Sequence, residues 1–179
     1  MMIEKRLLCV LCVVTLLSGC ASPASKDGMV IDSIANVQQH NKTVLIKTQG
    51  GKETGAADTP NISNNSFSAA IEESVINSGI FTQVIHGDNS DYILNVAIIN
   101  MSKPLFGASF TVSMEAAWSL SDSVTKKMHW RESITSSHTA TMGDSMMGVK
   151  RLRLAVEGAA RENIRLGLMA ISKLDLNSE

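Results

Sequence analysis

The clearest pattern in the chain is a strict alternation of apolar and polar residues in its second half. Between residues 109 and 120 the apolar side chains fall on one face, and serine, threonine and glutamate fall on the other. Such alternation predicts an antiparallel strand with one buried and one solvated face. Flanking strands are predicted on either side of it. One covers residues 91–101 and is apolar on both faces; the other covers residues 128–139 and is more polar, as in a strand near an edge of the sheet. The three segments together predict a β-meander.

Two shorter strands are predicted ahead of the meander. Residues 43–48 form a short β-branched run that is apolar in its middle, as in a strand covered on both faces, and residues 82–85 resemble a shorter strand. A loop rich in glycine, asparagine and threonine, residues 49–65, follows the first of them. Loops of this length are commonly functional or mobile, so this segment is a candidate for either.

Helical spacing of apolar residues predicts two helices, over residues 66–78 and 147–174. Asn65 or Ser66 is the expected N-cap of the first, and Asp144 or Ser145 that of the second. The predicted order is β-α-β-β-β-β-α. It indicates one α+β domain, a two-layer sandwich in which two helices cover one face of a mainly antiparallel sheet of about four or five strands.

The N-terminus has the pattern of an export signal. Lys5 and Arg6 precede an apolar run, residues 7–17, that is too short to span a bilayer as a mature helix. The run ends in Leu17-Ser18-Gly19-Cys20, which resembles the bacterial lipobox. That resemblance implies cleavage after residue 19 and a diacylglycerol thioether on Cys20. An ordinary secretory signal followed by a chance cysteine is the alternative.

Composition narrows the class of protein further. The chain has 179 residues, a formal net charge of −1, 44% hydrophobic and 18% charged residues. The length and the hydrophobic content fit one globular domain. A net charge near zero gives no electrostatic reason to expect nucleic-acid binding. Cys9 and Cys12 would leave with the signal peptide, so the mature chain has no disulfide partner for Cys20. The predicted organisation is a signal peptide at 1–19, a lipidated cysteine and tether at 20–42, and a domain at 43–179.

No arrangement of residues indicates catalysis, a metal site or a cofactor. The four histidines lack the i,i+4 spacing of helical metal ligands, and no G-x-S-x-G motif is present. Arg151, Arg153, Arg161 and Arg165 on the last helix are expected to form a solvated face, with Glu157 and Arg161 as an exposed ion pair. A patch that binds an acidic partner or a lipid phosphate is the alternative. The sequence therefore predicts a protein that is not an enzyme.

Two apolar groups fall where loops are predicted and are candidates for partner binding. Leu105 and Phe106 lie in the turn between two strands of the meander. Met142, Met146 and Met147 gather before the last helix. Methionine and phenylalanine are frequent on adaptable protein-binding surfaces, although packing beneath a loop would also explain them.

The lipobox and the order of elements together resemble small periplasmic domains of outer-membrane lipoproteins. The similar proteins are the lipopolysaccharide-assembly lipoprotein, the N-terminal domain of TolB, the curli-secretion lipoprotein and the lipoprotein activators of peptidoglycan synthases. The resemblance implies binding rather than catalysis. Because Ala21 is not the aspartate associated with inner-membrane retention, it also implies an outer-membrane anchor facing the periplasm. We expect an adaptor for an envelope protein complex, or alternatively a lipid- or glycolipid-handling module.

Overall fold

The computed structural model describes residues 22–87 and 89–176, and these contain three helices and five strands. The predicted signal peptide and Cys20 lie outside the described residues. The elements in chain order are α1 (Lys26–Met29), β1 (His40–Gln49), α2 (Asn64–Ser78), β2 (Phe81–Val84), β3 (Tyr92–Ser102), β4 (Phe110–Asp122), β5 (Met128–Ala140) and α3 (Gly148–Ile171).

The five strands form one mixed sheet in the order β2-β1-β3-β4-β5. The meander is confirmed, since β3, β4 and β5 pair antiparallel, with Leu94 opposite Leu120 and Ala116 opposite Ile134. β1 instead runs parallel to both of its neighbours. Helix α2 returns the chain to the end of the sheet where β1 began, so β2 starts there too. The predicted α+β class is therefore confirmed.

The helices cover one face of the sheet and bury its alternating apolar residues. Trp118, predicted on the apolar face of its strand, is fully buried against α3. Its indole Nε1 donates a hydrogen bond of 2.9 Å to Oδ1 of Asn163, and Nδ2 of Asn163 donates one of 2.8 Å to the carbonyl oxygen of Ile134. A buried amide thus joins α3 to two strands and has partners for both of its ends.

Helix α2 begins earlier than predicted. Its N-cap is Ser63, not Asn65 or Ser66, and the Ser63 hydroxyl accepts a hydrogen bond from the Ser66 amide. Gly79 ends the helix in the left-handed conformation at φ 64°.

Helix α3 has no side-chain cap, contrary to the prediction of Asp144 or Ser145. Its N-cap is Met147. Asp144 instead closes the preceding turn, where its Oδ2 accepts hydrogen bonds from the amide of Thr141 at 2.7 Å and from the Thr141 hydroxyl at 2.9 Å. The Asp144 carboxylate therefore bonds to a backbone amide within its own turn and does not cap the helix.

The packed structure reaches back well before residue 43, into the segment predicted to be a tether. Ala24, Met29 and Ile31 are buried, and α1 lies against both α2 and α3. The amide and hydroxyl of Ser25 each donate a hydrogen bond of 2.8 Å to Oε1 of Glu157 on α3. We call residues 24–31 the N-terminal segment.

Candidate functional site

Three loops meet at one end of the sheet, and we call this surface the loop end. It consists of residues 50–63, 103–109 and 141–147. These loops come together because β1, β3 and β5 finish at this end while β4, α2 and α3 start there. The five residues singled out as partner-binding candidates all belong to it.

The candidate side chains at the loop end are exposed. Their exposed fractions run from 50% for Met142 to 85% for Phe106, with intermediate values for Leu105, Met146 and Met147. Val149, in the first turn of α3, adds another exposed apolar side chain. Packing beneath a loop therefore does not account for these residues. Their role in binding stays a prediction.

A buried arginine connects two of the loops. The Arg151 side chain, only 5% exposed, donates from Nη1 to the carbonyl oxygen of Ser145 at 2.8 Å. Its Nη2 donates to the carbonyl oxygen of Gly107 at 3.2 Å, and its guanidinium carbon lies 4.9 Å from the centre of the Phe110 ring. One planar fork thus fixes the distance between the turn that carries Phe106 and the loop that carries the methionines.

The expectation that the arginines of α3 form a solvated face is wrong for Arg151. Arg151 precedes the buried Ala155 by four residues and so lies on the same stripe of the helix. That spacing was the signal available in the sequence. The predicted pairing of Glu157 with Arg161 also fails, because the buried Glu157 faces Arg153 Nε at 3.6 Å and the N-terminal segment.

An apolar groove opens beside the exposed side chains. It lies between the loop at residues 56–60 and the start of α3 and has a volume of about 460 Å³. Its apolar walls are formed by Pro60, Leu105, Phe110, Val149 and Leu152. The loop end is therefore a concave apolar surface with exposed apolar side chains at its edge.

Lys103 ties the β3–β4 turn to the start of the described chain. Its Nζ donates hydrogen bonds to the carbonyl oxygen of Pro60 at 3.0 Å and to Oδ1 of Asn61 at 2.6 Å. The carbonyl oxygen of Asn61 in turn accepts from the amide of Ala24 at 3.0 Å. Burial and the charge of Lys52 lower the pKa of Lys103. The loop end and the first described residues are thus neighbours.

Two of the four histidines, His40 and His86, lie beside other polar groups of the fold. Within the part of the chain described, no group of three or more histidine, cysteine or carboxylate side chains could hold a metal ion. His40 is buried, and its Nε2 lies 3.0 Å from the carbonyl oxygen of Ile171 at the end of α3. His86 lies 3.7 Å from Glu72 on the surface.

The comparisons with known proteins define a class of fold. A DUF330-family protein from Xanthomonas campestris superposes with a TM-score of 0.62 at 12% identity, covering 79% of this chain and 90% of its own. A hypothetical protein from Chlamydia trachomatis gives a TM-score of 0.57 at 11% identity, covering 75% of this chain and 98% of its own. No protein-family model and no curated protein matches the sequence. At these identities the likenesses establish a shared α+β fold and nothing about activity.

Neither α3 nor any other helix between residues 22 and 176 is long and apolar enough to cross a bilayer.

Proposed function

We propose that the protein is a lipid-anchored, non-catalytic adaptor of the bacterial cell envelope. The observation that carries the proposal is the loop end, where Leu105, Phe106 and three methionines are exposed together and a buried arginine holds their loops. A cluster of exposed apolar side chains on neighbouring loops is typical of a site that binds a protein or a membrane. The proposed partner of the adaptor is an envelope protein of a secretion, barrel-assembly or cell-wall complex.

The anchor is supported by the N-terminal sequence. The motif Leu17-Ser18-Gly19-Cys20 and the apolar run before it are the features that a lipoprotein signal requires. Lipidation of Cys20 at the outer membrane, with the domain facing the periplasm, is part of the same proposal. Under this proposal the protein is a lipoprotein like those that its element order resembles.

Affinity purification tests the adaptor role. The full-length protein, tagged after its last residue, is crosslinked in intact cells and purified from solubilised envelopes. We expect one envelope protein in stoichiometric yield. The same purification with Cys20→Ala is the control, and we expect it to lose the partner because the variant lacks its place at the membrane. Recovery of no stoichiometric envelope protein from the wild-type chain would contradict the adaptor role.

A lipid- or glycolipid-handling role is a second candidate, and the apolar groove favours it. With about 460 Å³ and walls that include Leu105, Phe110 and Leu152, the groove could take an acyl chain. Native mass spectrometry of the purified full-length protein tests this candidate. A lipid bound in addition to the covalent anchor supports it, and a mass that is accounted for by the protein and its anchor contradicts it.

A further inference from the structure

We infer that the loop end lies against the phospholipid bilayer, with Leu105 and Phe106 reaching into the boundary between head groups and acyl chains. The inference rests on the proposed anchor at Cys20 and names the bilayer as the partner of this surface. Three steps support it: the path of the N-terminal segment, the short reach of the chain before it, and the chemistry of the loops.

The first step is the direction in which the N-terminal segment runs. The amide of Ile31 donates to Oγ of Ser74, in the C-terminal half of α2, at 3.1 Å. The amide of Ala24 bonds to the carbonyl oxygen of Asn61, just before the start of α2. Followed backward from Ile31 to Ala24, the chain therefore runs beside α2 toward the loop end.

The second step is the distance that the anchor can span. Cys20 lies four residues before Ala24, so its Cα atom stays within roughly 14 Å of that of Ala24, whose amide is bonded to the Asn61 loop. Bonds from Ser25 to Glu157 and from Lys26 to Glu73, each shorter than 3 Å, hold the segment in place. The thirteen residues of β4 extend about 40 Å, so the opposite end of the sheet is out of reach of the anchor.

The third step is the chemistry of the surface that the anchor brings to the membrane. Residues 104–109 contain no charged side chain, and they present Leu105 and Phe106 to solvent. The carboxylates of Asp58 and Asp144 in the neighbouring loops are bonded to backbone amides within those loops. Apolar tips with the charged groups confined to the neighbouring loops, where Lys52 and Glu53 are exposed, suit the interface of a bilayer.

The proposed function allows either a protein or a membrane at the loop end. With the membrane there, the protein partner of the adaptor binds another surface of the domain. The outward face of the sheet carries the polar side chains of β4, such as Thr111 and Ser113, which alternate with its buried apolar ones. No helix of the described chain covers this face. With the loop end on lipid, this face and the β4–β5 turn point toward the periplasm.

The test uses a fluorophore attached to a single cysteine in the full-length, lipidated protein. Phe106→Cys and Val124→Cys are matched sites, because both native side chains are 85% exposed and they lie at opposite ends of the sheet. The mature chain has no other cysteine besides Cys20, whose sulfur the anchor occupies. Each labelled variant is reconstituted into vesicles of phosphatidylethanolamine and phosphatidylglycerol, with or without nitroxide-labelled acyl chains.

We expect a several-fold loss of emission from the Phe106 position in nitroxide vesicles and no loss from the Val124 position. Equal emission at Phe106 in both kinds of vesicle, while the protein floats with the vesicles, would overturn the bilayer contact and leave the anchor intact. A protein that does not float would contradict the anchor, and with it both proposals. A Phe106 fluorophore that is shielded only after envelope proteins are added would assign the surface to a protein and would also overturn the inference.

Discussion

Arg151 sets the shape of the loop end at the scale of a single residue. Its charge is withdrawn from water, and among the described residues no carboxylate forms an ion pair with it, so it depends on the backbone carbonyl groups of Ser145 and Gly107 and on the face of the Phe110 ring. Bonding carbonyl groups of two loops at once uses the planar fork of a guanidinium. A lysine would keep the charge but could not reach both loops at once.

We therefore expect Arg151→Lys to loosen both loops. The free energy of unfolding should fall by about 1–3 kcal/mol, because hydrogen bonds to a charged group are lost and carbonyl groups are left without a donor. Urea denaturation measures the loss, and hydrogen exchange of residues 103–109 and 141–147 should accelerate. The control is Arg161→Lys, because Arg161 is exposed on the same helix. Equal stabilities of the two variants would contradict this role.

Asn163 is the second residue on which packing depends. Replacing it by alanine leaves the indole N–H of Trp118 and the carbonyl oxygen of Ile134 buried without partners. We expect the variant to lose about 3 kcal/mol of unfolding free energy, measured by denaturant titration. Asn95→Ala, at a half-buried position on the outward face of β3, is the control and should change stability little. A similar loss of unfolding free energy in both variants would show that the buried hydrogen bonds of Asn163 do not add to the stability of the fold.

Asp91 gives the fold a dependence on pH. Hydrogen bonds from the amide and the hydroxyl of Thr43, each 2.7 Å long, lower the pKa of its carboxyl group. The pKa of this carboxyl group in the folded protein therefore lies below its unfolded value of about 3.9. Above a pH of about 3.9 the charged carboxylate contributes its full stabilisation of the fold. That stabilisation is lost as the pH falls through the pKa of the folded state.

We expect Asp91→Asn to be less stable than the wild-type protein at pH 7 by less than about 1 kcal/mol, because solvent screens this largely exposed carboxylate. The difference should shrink as the pH falls below about 4 and should disappear below the lowered pKa of the folded carboxyl group, where that group is neutral too. Thermal unfolding of both proteins across this range measures it. A difference that stays constant from neutral to acidic pH would contradict the assignment to charge.

At the scale of elements, the meander was predictable because its signal is local. Alternation in β4 follows directly from one buried face, and Gly79 marks a helix end by its own conformation. The parallel placement of β1 between β2 and β3 was not predictable, since it depends on where α2 returns the chain. His40 was missed as part of β1 because its strand partner, Phe81, is distant in sequence.

The same distinction applies to the loop end. The exposed side chains could be picked out one by one, because apolar residues in a predicted turn are unusual. Their gathering at one end depends on strand directions, and their connection depends on Arg151, whose partners Ser145 and Gly107 lie on separate loops. Sequence spacing carries no information about such contacts between loops.

The close packing of α3 on the sheet requires glycine at one point. A Cβ atom on Gly167 would lie 2.7 Å from the indole ring of Trp118, whereas one on Gly148 would have no neighbour within 4 Å. We expect Gly167→Ala to destabilise the protein by about 1–3 kcal/mol in spite of the higher helix propensity of alanine. Gly148→Ala in the same helix should be neutral or slightly stabilising. Calorimetry of both variants tests the difference, and a stabilised Gly167→Ala would refute the close contact.

At the scale of the whole molecule, the proposed anchor determines where the protein resides. Cys20→Ala removes the sulfur that would carry the lipid, so we expect the variant to accumulate as an unprocessed precursor and to lose palmitate labelling. Gel mobility and radiolabelled palmitate incorporation measure the two effects. Ser22→Ala, which leaves the cysteine in place, is the control. Normal maturation of Cys20→Ala would refute the lipoprotein assignment.

The bond between Ser25 and Glu157 has a consequence for the order of folding. The two residues are 132 positions apart, so this contact can form only when nearly the whole chain is available. Contacts of such separation form late, because a large loop must close before they stabilise anything. A chain that enters its compartment N-terminus first would therefore be attached to the membrane before the N-terminal segment packs against α3. Attachment would come early in the life of the protein, and a fixed orientation on the membrane would be among the last properties it acquires.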